Sequence, residues 1–192
     1  MDVTEFWKKP VCAHLQETVV ENELKNGYPQ HWKDILNCIP TDDRIVDVGC
    51  GVGAIYLLVE KEHLKNPYLG VDFSETMIEV AKKKNPDVFM VGDYRSLGMT
   101  LENDILLCNG LLDILPNGVD ALNRLLKYKP KYVILSRINI GTIQQVRQYT
   151  AYTIPVLKFT FSKLEFEAVI AKNGYSVIKK TGNTFLLKRN DI

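Results

Sequence analysis

The densest chemistry in the sequence lies in Val46-Asp47-Val48-Gly49-Cys50-Gly51-Val52-Gly53-Ala54. Gly49, Gly51 and Gly53 alternate directly after an apolar run. Glycines so placed permit a tight turn and let a ligand approach bare backbone. The same residues meet the loose dinucleotide pattern G-x-G-x-x-[GA]. Asp72 follows at about the 20-residue distance at which an acid holds ribose hydroxyls. Asp47 separates the possible ligands. A carboxylate at the mouth of the loop repels a pyrophosphate and attracts an ammonium group, directly or through water. The pattern therefore favours a ribose-bearing cofactor with an amino-acid tail over a dinucleotide.

Alternating strands and helices must position this loop. Residues 44–48 read as a buried strand, 54–62 as a helix, and Tyr68-Leu69-Gly70-Val71 as a strand ending at Asp72. Ser74 caps a helix that runs to about Lys84, with Met77, Ile78 and Ala81 on its inner face. Strands are expected at 88–91, 104–108 and 132–135, with a helix from about Asn117 to Leu126. Ser162 and Glu165 form a capping-box pattern, and Leu164, Phe166 and Val169 are the apolar residues of that helix, which Gly174 ends. Apolar runs flanking Gly182-Asn183 predict a β-hairpin. Ahead of the first strand, helices over about 11–25 (Val11, Leu15, Val19 and Val20 on one side) and 31–38 form an addition. Together these elements predict a mostly parallel α/β sheet closed by an antiparallel hairpin.

The bulk numbers narrow the setting. With 192 residues, 46% of them hydrophobic, the chain can bury one sizeable core without cross-links. A net charge of +1 gives no reason to expect a nucleic-acid partner. The run Lys82-Lys83-Lys84 complements a helix dipole. Cys12, Cys38, Cys50 and Cys108 form no C-x-x-C pair, so no metal site is expected. The N-terminal residues lack a signal-peptide core, and no apolar run reaches membrane-spanning length. A cytoplasmic, reduced protein with no membrane partner is the expectation.

Four segments in order carry a family resemblance. Asp47 to Gly53, Gly70-Val71-Asp72-Phe73-Ser74-Glu75-Thr76-Met77, Gly92-Asp93-Tyr94 and Asp104-Ile105-Leu106-Leu107-Cys108-Asn109 together resemble class I methyltransferases that use S-adenosyl-L-methionine (SAM). The resemblance implies a Rossmann-like α/β/α sandwich, a single domain, SAM as cofactor and S-adenosyl-L-homocysteine (SAH) as product. It implies cofactor contacts from Asp47, Gly49, Cys50, Gly51, Gly53, Asp72, Phe73, Met77, Asp93, Tyr94 and Asn109. Asp72 would hold the ribose, Asp93 the adenine amino group, and Asn109 would face the methionine part. Helical spacing also gives Met77 a core role. The domain divides into a helical cap (1–43), a SAM-binding core (44–137), a substrate-facing segment (138–161) and a terminal helix with hairpin (162–192).

Methyl transfer from a sulfonium is an in-line displacement that requires alignment and exclusion of water. A hydroxyl or protonated-amine acceptor also needs a base. Asp113, just past the fourth strand, is the first candidate for that catalytic role. His14 and His31 in the cap are others, whereas His63 falls at the far end of a core helix. Tyr28 and Trp32 are candidates for an aromatic wall beside the sulfonium. Arg137, Gln144, Gln145, Arg147, Tyr149, Tyr152 and Pro155 suit a substrate-facing lid. Arg137 or Arg147 could bind an anionic acceptor. The segment from Tyr152 to Tyr175 is faintly similar to methyltransferases of surface-polysaccharide gene contexts, which implies a small-molecule acceptor such as a sugar hydroxyl. A protein side chain as acceptor and a non-catalytic SAM-binding module are the alternatives. The Asn-Pro-Pro-Tyr signature of base-amino DNA methyltransferases is replaced by Cys108-Asn109-Gly110-Leu111.

Overall fold

The computed structural model describes residues 3–151 and 154–191. Three helices come first: α1 (Val3–Trp7), α2 (Pro10–Asn26) and α3 (Gln30–Cys38). The core then alternates β1 (Ile45–Val48), α4 (Ala54–Lys61), β2 (Tyr68–Asp72), α5 (Glu75–Lys82), β3 (Phe89–Val91), β4 (Ile105–Asn109), α6 (Gly118–Leu126) and β5 (Tyr132–Ser136). Next come β6 (Asn139–Gly141), β7 (Gln145–Ala151), β8 (Ile154–Ser162), α7 (Lys163–Lys172), β9 (Tyr175–Thr181) and β10 (Thr184–Arg189).

The main sheet has the order β3-β2-β1-β4-β5-β10-β9. Its first five strands are mutually parallel, and β10 is antiparallel to both β5 and β9. The chain runs outward from β1 to β3, then returns to place β4 on the other side of β1. That reversal leaves a crevice beyond the carboxyl ends of β1 and β4, the place where open α/β sheets bind ligands.

Both faces of the sheet are covered, which explains the near-continuous apolar strands. All four residues of β1 are buried. Val46 and Val48 pack with α6 and α7 residues such as Leu122, Leu125, Phe166 and Ile170. Ile45 packs on the opposite face with Trp32 and Ile35 of α3, Ile55 of α4 and Ile78 of α5. Each fully buried aliphatic side chain contributes about 1.5–3 kcal/mol, so this double core is the rigid support for the strand ends. At the other end of β1, Arg44 clamps Asp104 through Nε (3.0 Å) and Nη2 (2.7 Å), joining the starts of β1 and β4.

Caps read in the sequence form as expected. Ser74 Oγ accepts from Met77 N, and Ser162 Oγ accepts from Glu165 N. The expected hairpin closes the sheet, with Gly182 in the left-handed region (φ 55°).

The structure corrects one expectation and adds to others. Residues 138–161, expected as a substrate-facing segment, carry regular structure. They form a second sheet of order β6-β8-β7, with β6 parallel and β7 antiparallel to β8. Phe159 and Phe161 anchor it, in an aromatic chain through Phe166 to Phe185 with ring separations of 4.8, 5.3 and 5.0 Å. Val11 does not join Leu15, Val19 and Val20; it is exposed, pointing away from the sheet. In α7, Phe166 and Ile170 supply the buried face and Leu164 is exposed. The short helix α1 was not foreseen. Tyr152 lies outside the described residues.

Candidate active site

A cavity of about 510 Å³ opens at the carboxyl ends of the central strands. This size falls within the range of small-molecule and cofactor pockets. Four residues mark its floor in strand order: Asp72 ending β2, Asp47 within β1, Asn109 ending β4 and Arg137 following β5. Adjacent strands lie about 4.8 Å apart, so this row spans about 14 Å.

Asp47 sits on the face of β1 shared with Ile45, because side chains alternate along a strand. Its Oδ2 accepts a 2.6 Å hydrogen bond from Tyr68 Oη. Its Oδ1 is buried and has no partner among the described residues, as is true of Asn109 Oδ1. Burial lifts the Asp47 carboxyl to about 7; the Tyr68 hydrogen bond opposes that rise and Asp72 adds to it. A buried acceptor without a donor costs free energy, and a cationic N–H group entering the cavity would satisfy it.

The glycine loop bends between β1 and α4 with Gly49, Gly51 and Gly53 at φ 80°, 53° and 82°. These left-handed values disfavour any side chain by about 1–2 kcal/mol each. Asp72 ties the loop down: its Oδ2 accepts from Gly51 N and its Oδ1 from Ser74 N, each at 2.9 Å. Each oxygen retains a lone pair for a ligand hydroxyl. Burial raises the Asp72 carboxyl above its ordinary range, against these backbone bonds.

The helical cap roofs the cavity. Ser74 Oγ donates to Trp7 O and Thr76 Oγ1 to Lys8 O, both at 2.9 Å, so the start of α5 holds the α1–α2 junction in place. Phe6 and Trp7 thereby line the cavity, together with Gln16 and Glu23 of α2.

Past β5 the wall changes character. Arg137 adopts φ 66°, a conformation that costs a residue with a side chain about 1–2 kcal/mol. Its Nη2 lies 3.2 Å from Asp113 Oδ2, and that carboxylate is almost wholly buried. The guanidinium also lies over Gly110, where an added Cβ would stand 2.9 Å from Nη1. His31 and Glu23 share this end of the cavity. Burial, and secondarily Arg137, lowers the His31 imidazole to about 4. Burial raises Glu23, with Arg137 opposing.

Of the residues expected at the cofactor, Asp47, Gly49, Cys50, Gly51, Asp72, Phe73, Met77 and Asn109 line the cavity. Met77 is also fully buried in the core, as its helical spacing implies. Gly53 does not line it; an added Cβ there would meet the Phe89 ring at 2.7 Å, so this glycine serves packing beneath the loop. Asp93 and Tyr94 also fall outside the lining, and both Asp93 oxygens are engaged by Arg95. The catalytic assignment of Asp113 is revised too: it stands behind Arg137 and not on the cavity wall. Trp32 lines the cavity, whereas Tyr28 packs against Trp32 from outside and donates to Glu62. Neither His14 nor His63 lines it. Burial pushes the Cys50 and Cys108 thiols well up, so both stay protonated. Gln16, Glu23, Phe6, Trp7 and Gly110 escaped the sequence reading.

A strand-end cavity at the reversal point of a mostly parallel sheet, with paired acids on β1 and β2, defines a Rossmann-like fold of the class I, SAM-dependent methyltransferase type. A family model described as "Methyltransferase domain" matches residues 39–182, and the chain belongs to that family. It is 30% identical over 99 residues to trans-aconitate 2-methyltransferase of Azoarcus sp., covering 50% of this chain and 39% of that protein. It is 30% identical over 107 residues to malonyl-[acyl-carrier protein] O-methyltransferase of Priestia megaterium, covering 53% of this chain and 39% of that one. The chain thus spans about two fifths of the length of these curated relatives. Among solved structures it is similar to a SAM-dependent methyltransferase from Clostridium acetobutylicum, with a TM-score of 0.64 at 13% identity over 93% of this chain and 99% of that one. It is also similar to the SAM-bound magnesium protoporphyrin IX methyltransferase of Synechocystis, with a TM-score of 0.55 at 18% identity over 92% and 80% of the two chains. SAM is the cofactor of this class, and the residues present suit it. Asp47 Oδ1, Asn109 Oδ1 and Asp113 Oδ1 are buried acceptors without a partner among the described residues, the first two on residues that line the cavity, and Gln16 and Leu111 side chains lie against Gly51 and Gly49 of the loop.

Proposed function

We propose that the chain is a SAM-dependent methyltransferase acting on a small-molecule acceptor. The carrying observation is the pair of unpartnered buried oxygens, Asp47 Oδ1 and Asn109 Oδ1, on neighbouring strand ends facing one cavity. When bound, SAM supplies an electrophilic methyl group on a sulfonium. In this reading Asp47 and Asn109 hold the amino-acid tail, Asp72 accepts from the ribose hydroxyls, and the glycine loop lets the cofactor lie against bare backbone. Asp93 and Tyr94 are left out of the assignment on their placement.

The acceptor enters on the β5 side, between Arg137, His31, Tyr149 of β7 and Val156 of β8. The second sheet and the cap flank this end, where an in-line displacement needs donor and acceptor aligned. The cavity volume of about 510 Å³ falls in the range of small-molecule pockets. A sugar hydroxyl would require a base, and His31 and Glu23 are titratable groups other than Arg137 at this end; burial holds the His31 imidazole neutral and makes it a weak base. A carboxylate acceptor would require none.

The test is incubation of the protein with methyl-labelled SAM and small-molecule metabolite pools. Label recovered in a low-molecular-weight product supports the reading. Label recovered in protein alone, or SAH binding without any transfer, contradicts it.

A further inference from the structure

We propose that Arg137 anchors a carboxylate carried by the methyl acceptor, with Asp113 and Gly110 holding the guanidinium in place. The proposal rests on the methyltransferase reading and adds the chemical class of the acceptor. Four observations carry it.

First, Arg137 is the one Lys or Arg side chain among the described residues of the cavity wall, against the carboxyl groups of Glu23, Asp47 and Asp72. Its guanidinium is the cationic side chain that an anion entering this cavity would meet. Second, the guanidinium is preorganised. Asp113 engages Nη2 at 3.2 Å, and Gly110 leaves the surface beneath Nη1 bare. The remaining N–H groups have no partner among the described residues, and the side chain is about half exposed (44%). A planar fork held in this way matches a carboxylate. Third, the backbone at Arg137 is held at φ 66°. A non-glycine residue in this region is uncommon, and at the ligand edge of a sheet it is a pointer to function. Fourth, Asn109 pairs with Ser136 in the β4–β5 register, so Arg137 stands one strand beyond the floor residues assigned to the cofactor. The arginine is shared with Asp113, so it balances a singly charged carboxylate better than a phosphate dianion.

The experiment uses the full chain. Calorimetry first measures SAH. The SAH-saturated protein is then titrated with a carboxylate panel (acetate, succinate, malonate and trans-aconitate), with malonamide as the uncharged control. Wild type is expected to bind at least one carboxylate and not malonamide. In Arg137→Gln that affinity should fall about tenfold or more, the loss expected for a charge-assisted hydrogen bond, with SAH affinity unchanged. Asp113→Asn/Arg137→Gln removes both charges, leaves no unpaired buried carboxylate, and should show the same selective loss. Carboxylate binding that survives in either folded variant overturns the proposal. So does a parallel loss of SAH affinity, which would assign Arg137 to the cofactor's own carboxylate. A wild-type protein that binds SAH but no carboxylate overturns the anchor alone, whereas one that fails to bind SAH overturns the methyltransferase reading beneath it.

Discussion

Tyr68 Oη donates to Asp47 Oδ2 at 2.6 Å and leaves Oδ1 of the same carboxylate buried, unpartnered and facing the cavity. The tyrosine fixes the orientation of the acid. The cavity supplies the demand for a second donor. The cofactor assignment begins from this asymmetry.

The raised Asp47 carboxyl makes two pH dependences run in opposite directions. Its folded value of about 7 exceeds the unfolded value of 3.8. The ligand-free protein therefore holds this proton more tightly than the unfolded chain does. The associated stability is present below about pH 4, is lost as pH rises to about 7, and is constant beyond. Binding of an ammonium-bearing ligand requires the ionised form, so SAH affinity should rise through about pH 7, by up to about tenfold per unit below it. Asp47→Asn should flatten both profiles and, at pH 8, melt higher without ligand than wild type. Thermal melts and calorimetry across pH 5–9 give the result. A wild-type SAH affinity independent of pH across this window would remove Asp47 from the tail site.

Asp72 has a structural and a binding role at once. In Asp72→Ala, Gly51 N and Ser74 N lose their acceptor, a cost of about 1–3 kcal/mol for each amide that stays buried. SAH affinity should fall about tenfold or more with the lost ribose contact. A lowered melting temperature with undiminished SAH affinity would confine Asp72 to tying down the loop.

Gly53 should matter for stability more than for ligand. An alanine there combines φ 82° with a Cβ 2.7 Å from the Phe89 ring. Left-handed strain of about 1–2 kcal/mol adds to overpacking of about 1–3 kcal/mol. Gly53→Ala should lower the melting temperature markedly, and the fraction that folds should bind SAH within about threefold of wild type. Denaturant titration combined with SAH titration separates the two effects.

Asp113 can be judged by which kinetic constant it moves. As the partner of Arg137 it should act on acceptor binding. With any acceptor found by turnover screening, Asp113→Asn should raise KM while kcat falls less than about tenfold. Loss of a general base would instead lower kcat by about a hundredfold to ten-thousandfold with KM spared. The KM-against-kcat split decides between these outcomes.

Much of this arrangement was legible in the sequence because local signals agreed with the global fold. The apolar run of β1, the glycines after it and the spacing to Asp72 each described backbone, and backbone is what the sheet fixes. The second sheet was missed although Phe159-Thr160-Phe161 alternates as a strand should. The polar, largely exposed residues of β7 looked like a loop because only one face of that hairpin is buried. Val11 was misplaced because counting apolar residues does not reveal which side of a helix is buried. Gln16, Glu23 and Trp7 could not be read, since their roles come from the cap folding back over the loop. Asp113 was placed at the correct strand end, yet its partner Arg137, 24 positions on, decides which way its carboxylate points.

The central claim is that Asp47, Asp72 and Asn109 line a site for a cationic, ribose-bearing methyl donor. Calorimetric titration of the full chain at pH 8 with SAH, and separately with NAD, tests it most directly. The account predicts saturable one-to-one binding of SAH, abolished in the Asp47→Ala/Asp72→Ala double variant, and no binding of NAD. Binding of NAD with no response to SAH would contradict it.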